Sequence, residues 1–133
     1  MATIVKEINL DAPAENVWAA LRDFQAVHIR VAPGFLTASR PDGENARLVT
    51  FANGTTAREV LVTADDATRR LVYSIPPNAR LAHYSAAAQV FAESGTRSRF
   101  VWTVDLLPDS IAAYVSGQME EGLKAMKPTF EKA

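Results

Sequence analysis

Between residues 35 and 107 the chain alternates runs of strand-forming residues with short turn sequences. The turns carry Gly, Pro, Asn and Asp, as in "PDGE" (41–44), "ANG" (52–54), "ADDAT" (64–68), "IPPNA" (75–79) and "ESGT" (93–96). The predicted strands cover about 35–40, 46–52, 55–64, 69–75, 82–92 and 97–107. Because so few residues join consecutive strands, the strands must run antiparallel, and this constrains the region to a meander.

One more strand and a helical region precede the meander. "TIVKEINL" (3–10) alternates with a period of two, which predicts a strand with Lys6 on its apolar face. "DAPAENVWAALRDF" (11–24) changes to a helical period and places Val17 and Leu21 on one face. A second short helical piece is predicted over about 25–31.

Pro108 opens a final helix of roughly 20 residues, which at about 1.5 Å per residue is long enough to cross a small domain. We expect Pro128 to bend or loosen its last turn. One side of this helix carries Ile111, Val115, Gln118, Met119, Gly122, Met126 and Phe130. The order β-α-α-β6-α predicts an α+β fold in which a curved seven-stranded antiparallel sheet wraps around the long C-terminal helix. A single domain over residues 1–133 is expected from the length.

Composition excludes several kinds of function. The net charge is −1, which favours neither nucleic acid nor an anionic membrane, and there is no cysteine for disulfides or thiolate chemistry. The two histidines lie in different segments without metal-ligand spacing, so no metal or other cofactor is expected. No apolar signal core and no 18-residue apolar run occurs, and we therefore expect a cytoplasmic protein without membrane insertion.

Four stretches together resemble one superfamily. They are "INLDAPAENVWAALRDF", "REVLVTADDATRRLVYSI", "ARLAHYSAAAQV" and "SRFVWTVDLLPD", and they cover most of the chain in order. Their order and spacing resemble the START-like superfamily, also called SRPBCC or helix-grip, and most closely its polyketide cyclase/dehydrase branch. A sheet that curves around a helix often leaves a gap in which small ligands bind. The superfamily that the chain resembles includes lipid carriers, hormone receptors, cyclases and chaperone-ATPase activators.

Two of these stretches are also similar to the plant abscisic-acid receptors. The "RE" strand with its "DD" turn and the later "RLAHY" match segments whose glutamate and tyrosine face the ligand in those receptors. The similarity implies that Glu59 and Tyr84 face the cavity. The gating loop of the receptors has no counterpart, because "ANGTT" is short and lacks their Ser-Gly-Leu-Pro-Ala pattern.

The alternation of the strand around Glu59 allows two orientations. If Glu59 points inward, Ala57, Leu61 and Thr63 point inward with it; if it points outward, it pairs with a neighbouring arginine on the convex face. The resemblance favours the inward orientation.

Other residues on the inner face of the sheet and on the last helix are further candidates for ligand contact. Ala86 and Ala88 share the face of Tyr84, where their small side chains either make room for a ligand or let the long helix pack closely. The predicted ligand-binding set is Glu59, Leu61, Tyr73, Tyr84, Ala86, Ala88, Gln118 and Gly122.

The sequence leaves the orientation of Trp102 undecided and places one histidine near the site. Trp102 points inward if the preceding turn has three residues and outward if it has two. His28 is expected near the mouth of the cavity.

The sequence supports three functions. The first is binding or carriage of a small, mostly hydrophobic molecule, for which only a lined cavity with a few polar anchors is needed. The second is a polyketide cyclase/dehydratase-type enzyme, with Glu59 as base, Tyr84 as donor and His28 as proton shuttle. The third is a protein-interaction module similar to heat-shock ATPase activators, which would use a convex patch around Val60 and Val62. The chain is expected to be a monomer or a homodimer.

Overall fold

The computed structural model describes residues 1–132. The β-α-α-β6-α order predicted from the sequence is confirmed, and each meander strand begins and ends within one residue of the predicted bounds. The strands are β1 (Ala2–Leu10), β2 (Leu36–Pro41), β3 (Ala46–Phe51), β4 (Thr56–Asp65), β5 (Arg70–Ser74), β6 (His83–Ala92) and β7 (Ser98–Leu107). The helices are α1 (Ala14–Arg22), α2 (Val27–Arg30) and α3 (Ala112–Phe130), and 3-10 turns at Phe24–Ala26 and Asp109–Ile111 lead into α2 and α3.

All seven strands form one antiparallel sheet in the order β1-β7-β6-β5-β4-β3-β2. The first strand pairs with the last, from Ala2 opposite Leu106 to Leu10 opposite Ser98. This leaves β1 and β2 as the two edges of the sheet. The predicted α+β helix-grip fold is therefore confirmed.

Helix α3 packs its apolar side against the inner face of the sheet. Its buried residues are Val115, Met119, Gly122, Leu123 and Met126. Their spacing of three and four residues keeps them on one side of the helix.

Lysines tie α3 to β1. The Lys6 Nζ atom lies 2.7 Å from Glu120 Oε1, which explains a lysine on the apolar face of β1. The Lys127 ammonium also donates to the Asn9 carbonyl oxygen. The helix continues through Pro128 to Phe130.

A bulge in β4 changes which residues face inward. Leu61 lies opposite Tyr73 and Thr63 opposite Val72, so Val62 is an extra residue on its strand. Because one extra residue reverses the alternation, Thr63 is exposed, and the prediction that it points inward is wrong. Val62 itself is 60% exposed.

The turn between β6 and β7 determines the orientation of Trp102. Ala92 pairs with Ser98, and the Glu93 amide donates to the Arg97 carbonyl, which is the register of a three-residue turn. Trp102 consequently lies opposite Ala88 on the inner face. The three-residue alternative of the sequence analysis is the one observed.

Two glycines of α3 provide a test of how closely the helix approaches the sheet. A Cβ atom at Gly122 would lie 3.0 Å from Trp102 Cζ3, whereas one at Gly117 would have no atom within 4 Å. We expect Gly117→Ala to raise the free energy of unfolding by about 0.5–1 kcal/mol, because alanine loses less conformational entropy in a helix. Gly122→Ala should gain less than this or destabilise, since the indole ring must move. Urea denaturation of both variants measures the difference, and an equal gain would show that the ring moves away freely.

Candidate functional site

A cavity of about 210 Å³ lies between the inner face of the sheet and α3. Most of its wall is apolar, and it includes side chains from β5, β7 and α3, among them Leu71, Phe100, Trp102 and Met119. The close approach of Gly122 to Trp102 places the helix backbone in the same wall. The cavity is therefore a place where a small apolar molecule would leave water.

An ion pair is buried in the wall of this cavity. Arg47 on β3 and Glu59 on β4 lie directly opposite each other in the sheet register. The Arg47 Nε atom donates to Glu59 Oε1 at 2.8 Å, and Nη2 lies 2.7 Å from the same oxygen. The two residues are only 4% and 6% exposed. Each charge thus compensates the other for the loss of water.

Further contacts fix the guanidinium group in place. Arg47 Nη1 donates to the Phe24 carbonyl oxygen at 2.8 Å. Its guanidinium carbon lies 3.8 Å from the centre of the Phe24 ring and 5.2 Å from that of Tyr73. Both contacts to Glu59 are made to Oε1, so Oε2 is not engaged by Arg47.

Arg47 was missed by the sequence reasoning. That reasoning considered an arginine partner for Glu59 only on the convex face, and the partner lies on the inner face. The available signal was the hairpin between β3 and β4, in which Thr50 pairs with Thr56 and the register then brings 47 opposite 59. A residue-by-residue register of this hairpin would have found the pair.

Two buried tyrosines line the same cavity. Tyr73 on β5 is 7% exposed and Tyr84 on β6 is 9% exposed. Burial raises the pKa of both phenols, and the negative charge of Glu59 raises each pKa further. A phenol is protonated at neutral pH in any case, and the raised pKa extends that state to alkaline pH, so both hydroxyl groups can donate hydrogen bonds.

The structure brings most of the predicted contact residues into the cavity wall. The lining includes Glu59, Tyr73, Tyr84, Ala88, Gln118 and Gly122. The inward orientation expected for Glu59 is confirmed by its burial and its place in the wall.

Three candidates lie outside the cavity wall. Ala86 is fully buried between Tyr73 and Val104 within the sheet, and Leu61 is half-buried against the core beside the bulge. His28 is on α2, whose neighbouring residue Val27 lines the cavity instead. Successive residues of a helix point in different directions, so Val27 and His28 cannot share a face. The expected place of His28 at the mouth is therefore wrong.

Exposed residues of the wall mark the mouth of the cavity. They belong to the start of β4, the loop between β5 and β6, and the start of α3, and they are Thr55, Thr56, Asn78, Arg80 and Tyr114. The Asn53 amide donates to the Tyr114 hydroxyl at 3.1 Å, and the Arg80 guanidinium lies 5.5 Å from the centre of that ring. Tyr114 at the start of α3 therefore contacts both other segments that border the mouth.

Residues 1–132 contain no group of three or more His, Cys, Asp or Glu side chains arranged to hold a metal ion. No helix within the same residues is long and apolar enough to cross a membrane.

Solved structures share this architecture. An uncharacterized protein from Bacillus thuringiensis is 23% identical, with a TM-score of 0.84 and coverage of 97% of this chain and 98% of that one. Truncated norcoclaurine synthase from Thalictrum flavum is 13% identical, with a TM-score of 0.75 and coverage of 96% and 91%. The di-domain ARO/CYC BexL from the BE-7585A biosynthetic pathway is 17% identical, with a TM-score of 0.81, and the match covers 97% of this chain and 46% of that one. At these identities the similarities establish the fold alone.

No curated protein matches the sequence. A family model does match, and it covers almost the whole chain, from residue 1 to residue 131. The description of that family is polyketide cyclase/dehydrase and lipid transport. The chain therefore belongs to this family.

Proposed function

We propose that this protein binds or carries a small, mostly hydrophobic molecule in the cavity between the sheet and α3. The observation that carries the proposal is an apolar cavity with a buried ion pair, Arg47–Glu59, and two protonated tyrosines in its wall. Apolar walls with a few fixed polar groups are typical of small-molecule sites, in which the walls supply affinity and the polar groups orientation.

The ion pair supports this proposal because stability alone gives little reason to retain it. Removing two charges from water costs several kcal/mol per ion, roughly, and their mutual attraction often does no more than offset that cost. A pair of apolar side chains of similar volume would fill the same space. A polar recognition role is a physical reason to keep Arg47 and Glu59 in an apolar wall.

The second candidate is an enzyme of the cyclase/dehydratase type. It is favoured by the place of Glu59 in the cavity wall with its Arg47 contacts on Oε1, because a carboxylate oxygen that the arginine does not hold can remove a proton next to a carbonyl. Tyr84 would donate to the enolate oxygen that results. The family description and the name of the ARO/CYC neighbour agree with such chemistry. His28 has no part in this version, because it lies outside the cavity wall.

Native mass spectrometry of the freshly purified protein, followed by release of anything bound, tests the proposal. We expect one small apolar molecule per chain, or uptake of one from a panel of lipids and aromatic polyketides. A protein that stays empty against the whole panel would rule the carrier function out. If a molecule binds and is also converted, Glu59→Gln separates the two functions: a carrier keeps binding with altered affinity, whereas an enzyme loses about 10²–10⁴-fold in turnover.

Replacement of both ion-pair residues tests whether the pair serves recognition. We expect Arg47→Met or Glu59→Leu alone to lower the free energy of unfolding by about 3–5 kcal/mol, since each leaves a buried charge without its partner. The double variant Arg47→Met/Glu59→Leu should lose far less than the sum, because it buries no charge. Urea denaturation and ligand titration of all three proteins provide the measurement. A double variant that is folded and binds the released molecule as well as the wild type would contradict a recognition role.

The buried tyrosines predict a particular loss of stability at alkaline pH. A phenol ionises near pH 10 in the unfolded chain, and burial raises the pKa of Tyr84 in the folded protein. The unfolded state therefore binds fewer protons above pH 10, so that stability is intact below that pH and decreases above it.

Above pH 10, Tyr84→Phe should make the decrease in unfolding free energy shallower by up to about 1.4 kcal/mol per pH unit. The matched control is Tyr114→Phe, which removes the hydroxyl of a tyrosine that is 45% exposed. Unfolding free energies between pH 9 and pH 11 give both slopes. Equal slopes in the two variants would show that Tyr84 is not protected by burial.

A further inference from the structure

The charges of Arg47 and Glu59 cancel in the buried part of the cavity wall, and the other charged residue of the wall, Arg80, is exposed at the mouth. Arg47 uses three N–H groups, two toward Glu59 Oε1 and one toward the Phe24 carbonyl. Its positive charge is already paired at 2.7 Å with a carboxylate. An anionic ligand placed here would gain little from the arginine and would lie beside the negative charge of Glu59.

Beside the ion pair, Glu59 and the two buried tyrosines offer polar atoms of two kinds. Glu59 Oε2 can only accept hydrogen bonds, since an ionised carboxylate has no proton to give. The hydroxyl groups of Tyr73 and Tyr84, which both line the cavity, can donate because a phenol is protonated at pH 7. This part of the wall therefore offers acceptors and donors together, without net charge.

A hydroxyl group on the ligand matches both kinds of atom at once. It can donate its proton to Glu59 and accept a hydrogen bond from a tyrosine. An ether can only accept, so it would leave the carboxylate oxygen without a partner. A carboxylate can also only accept, and it brings a second negative charge into a poorly hydrated site.

Resting on the proposed function, we propose that the cavity selects neutral hydroxylated ligands, phenols or alcohols, over their ether and carboxylate analogues, and that Glu59 determines this selection. The cavity volume of about 210 Å³ is below the range of about 300–1,000 Å³ common for drug-sized ligands, so the ligand body is one or two rings or a short chain.

Three probes of similar size separate the alternatives at pH 7. They are 2-naphthol, 2-methoxynaphthalene and 2-naphthoate, which share one ring system and differ in the polar group. We expect 2-naphthol to bind the wild-type protein roughly tenfold to hundredfold more tightly than the other two, as for a hydrogen bond to a charged acceptor. Isothermal titration calorimetry measures the three dissociation constants.

Glu59→Gln should reduce the preference for 2-naphthol over 2-naphthoate, since it removes the negative charge and leaves Arg47 unpaired. The control Glu44→Gln removes the same charge from an exposed turn residue outside the cavity wall and should keep the wild-type order. Thermal melting of each variant checks that it is folded, and the wild-type order tests the selection without any variant.

Each result has a definite meaning. Equal or tighter binding of 2-naphthoate or 2-methoxynaphthalene to the wild type would overturn the selection while leaving ligand binding intact. A folded Glu59→Gln protein with unchanged selectivity would overturn the role of Glu59. Failure of all three probes to bind would count against the proposed function itself, and the selection would fall with it.

Discussion

The buried pair of Arg47 and Glu59 is the interaction on which the site depends. Two adjacent strands hold the side chains opposite each other, and the Phe24 carbonyl and ring fix the guanidinium from the side of the helical region. The pair links the sheet to the segment between α1 and α2. It also leaves one carboxylate oxygen free of the arginine in an otherwise apolar wall.

Helix α3 and the sheet meet closely at one place in the wall of the cavity beside this pair. At Gly122 the helix backbone comes near enough to Trp102 that a Cβ atom would touch the indole ring. Ala88 lies opposite Trp102 on the neighbouring strand β6, and it contributes only a methyl group to the wall. Gly122 thus allows close contact between helix and sheet, and Ala88 adds little bulk to the cavity wall.

Burying polar groups in such an apolar wall costs free energy, and each group here has a compensation. The two charges compensate each other, while the tyrosines are neutral phenols whose pKa burial raises further. A site of this kind recognises shape and hydrogen-bond pattern more than net charge. Both proposed functions use the same atoms and differ in whether Glu59 only accepts a hydrogen bond or removes a proton.

Sequence reasoning reached the fold through local signals. Strand alternation, turn residues and the helical period of the last segment act over a few residues, and they placed every meander strand within one residue. The reasoning failed where one inserted residue changes a register. The bulge at Val62 turned Thr63 outward, and no turn residue or change of composition marks it in the sequence. Leu61 and Ala86 were assigned to the correct face but not to the cavity, because facing inward does not specify which residues the helix covers.

The sequence by itself determined the order of elements, the antiparallel connections and the apolar side of α3, since these depend on periodicity and turn chemistry. A resemblance was needed to point Glu59 inward. Only the tertiary structure identified Arg47 as its partner, chose the inward orientation of Trp102 and removed His28 from the site. The physical reason is that ion pairing, strand register and cavity walls arise from contacts between residues far apart in the chain, whereas periodicity records only the local environment of each segment.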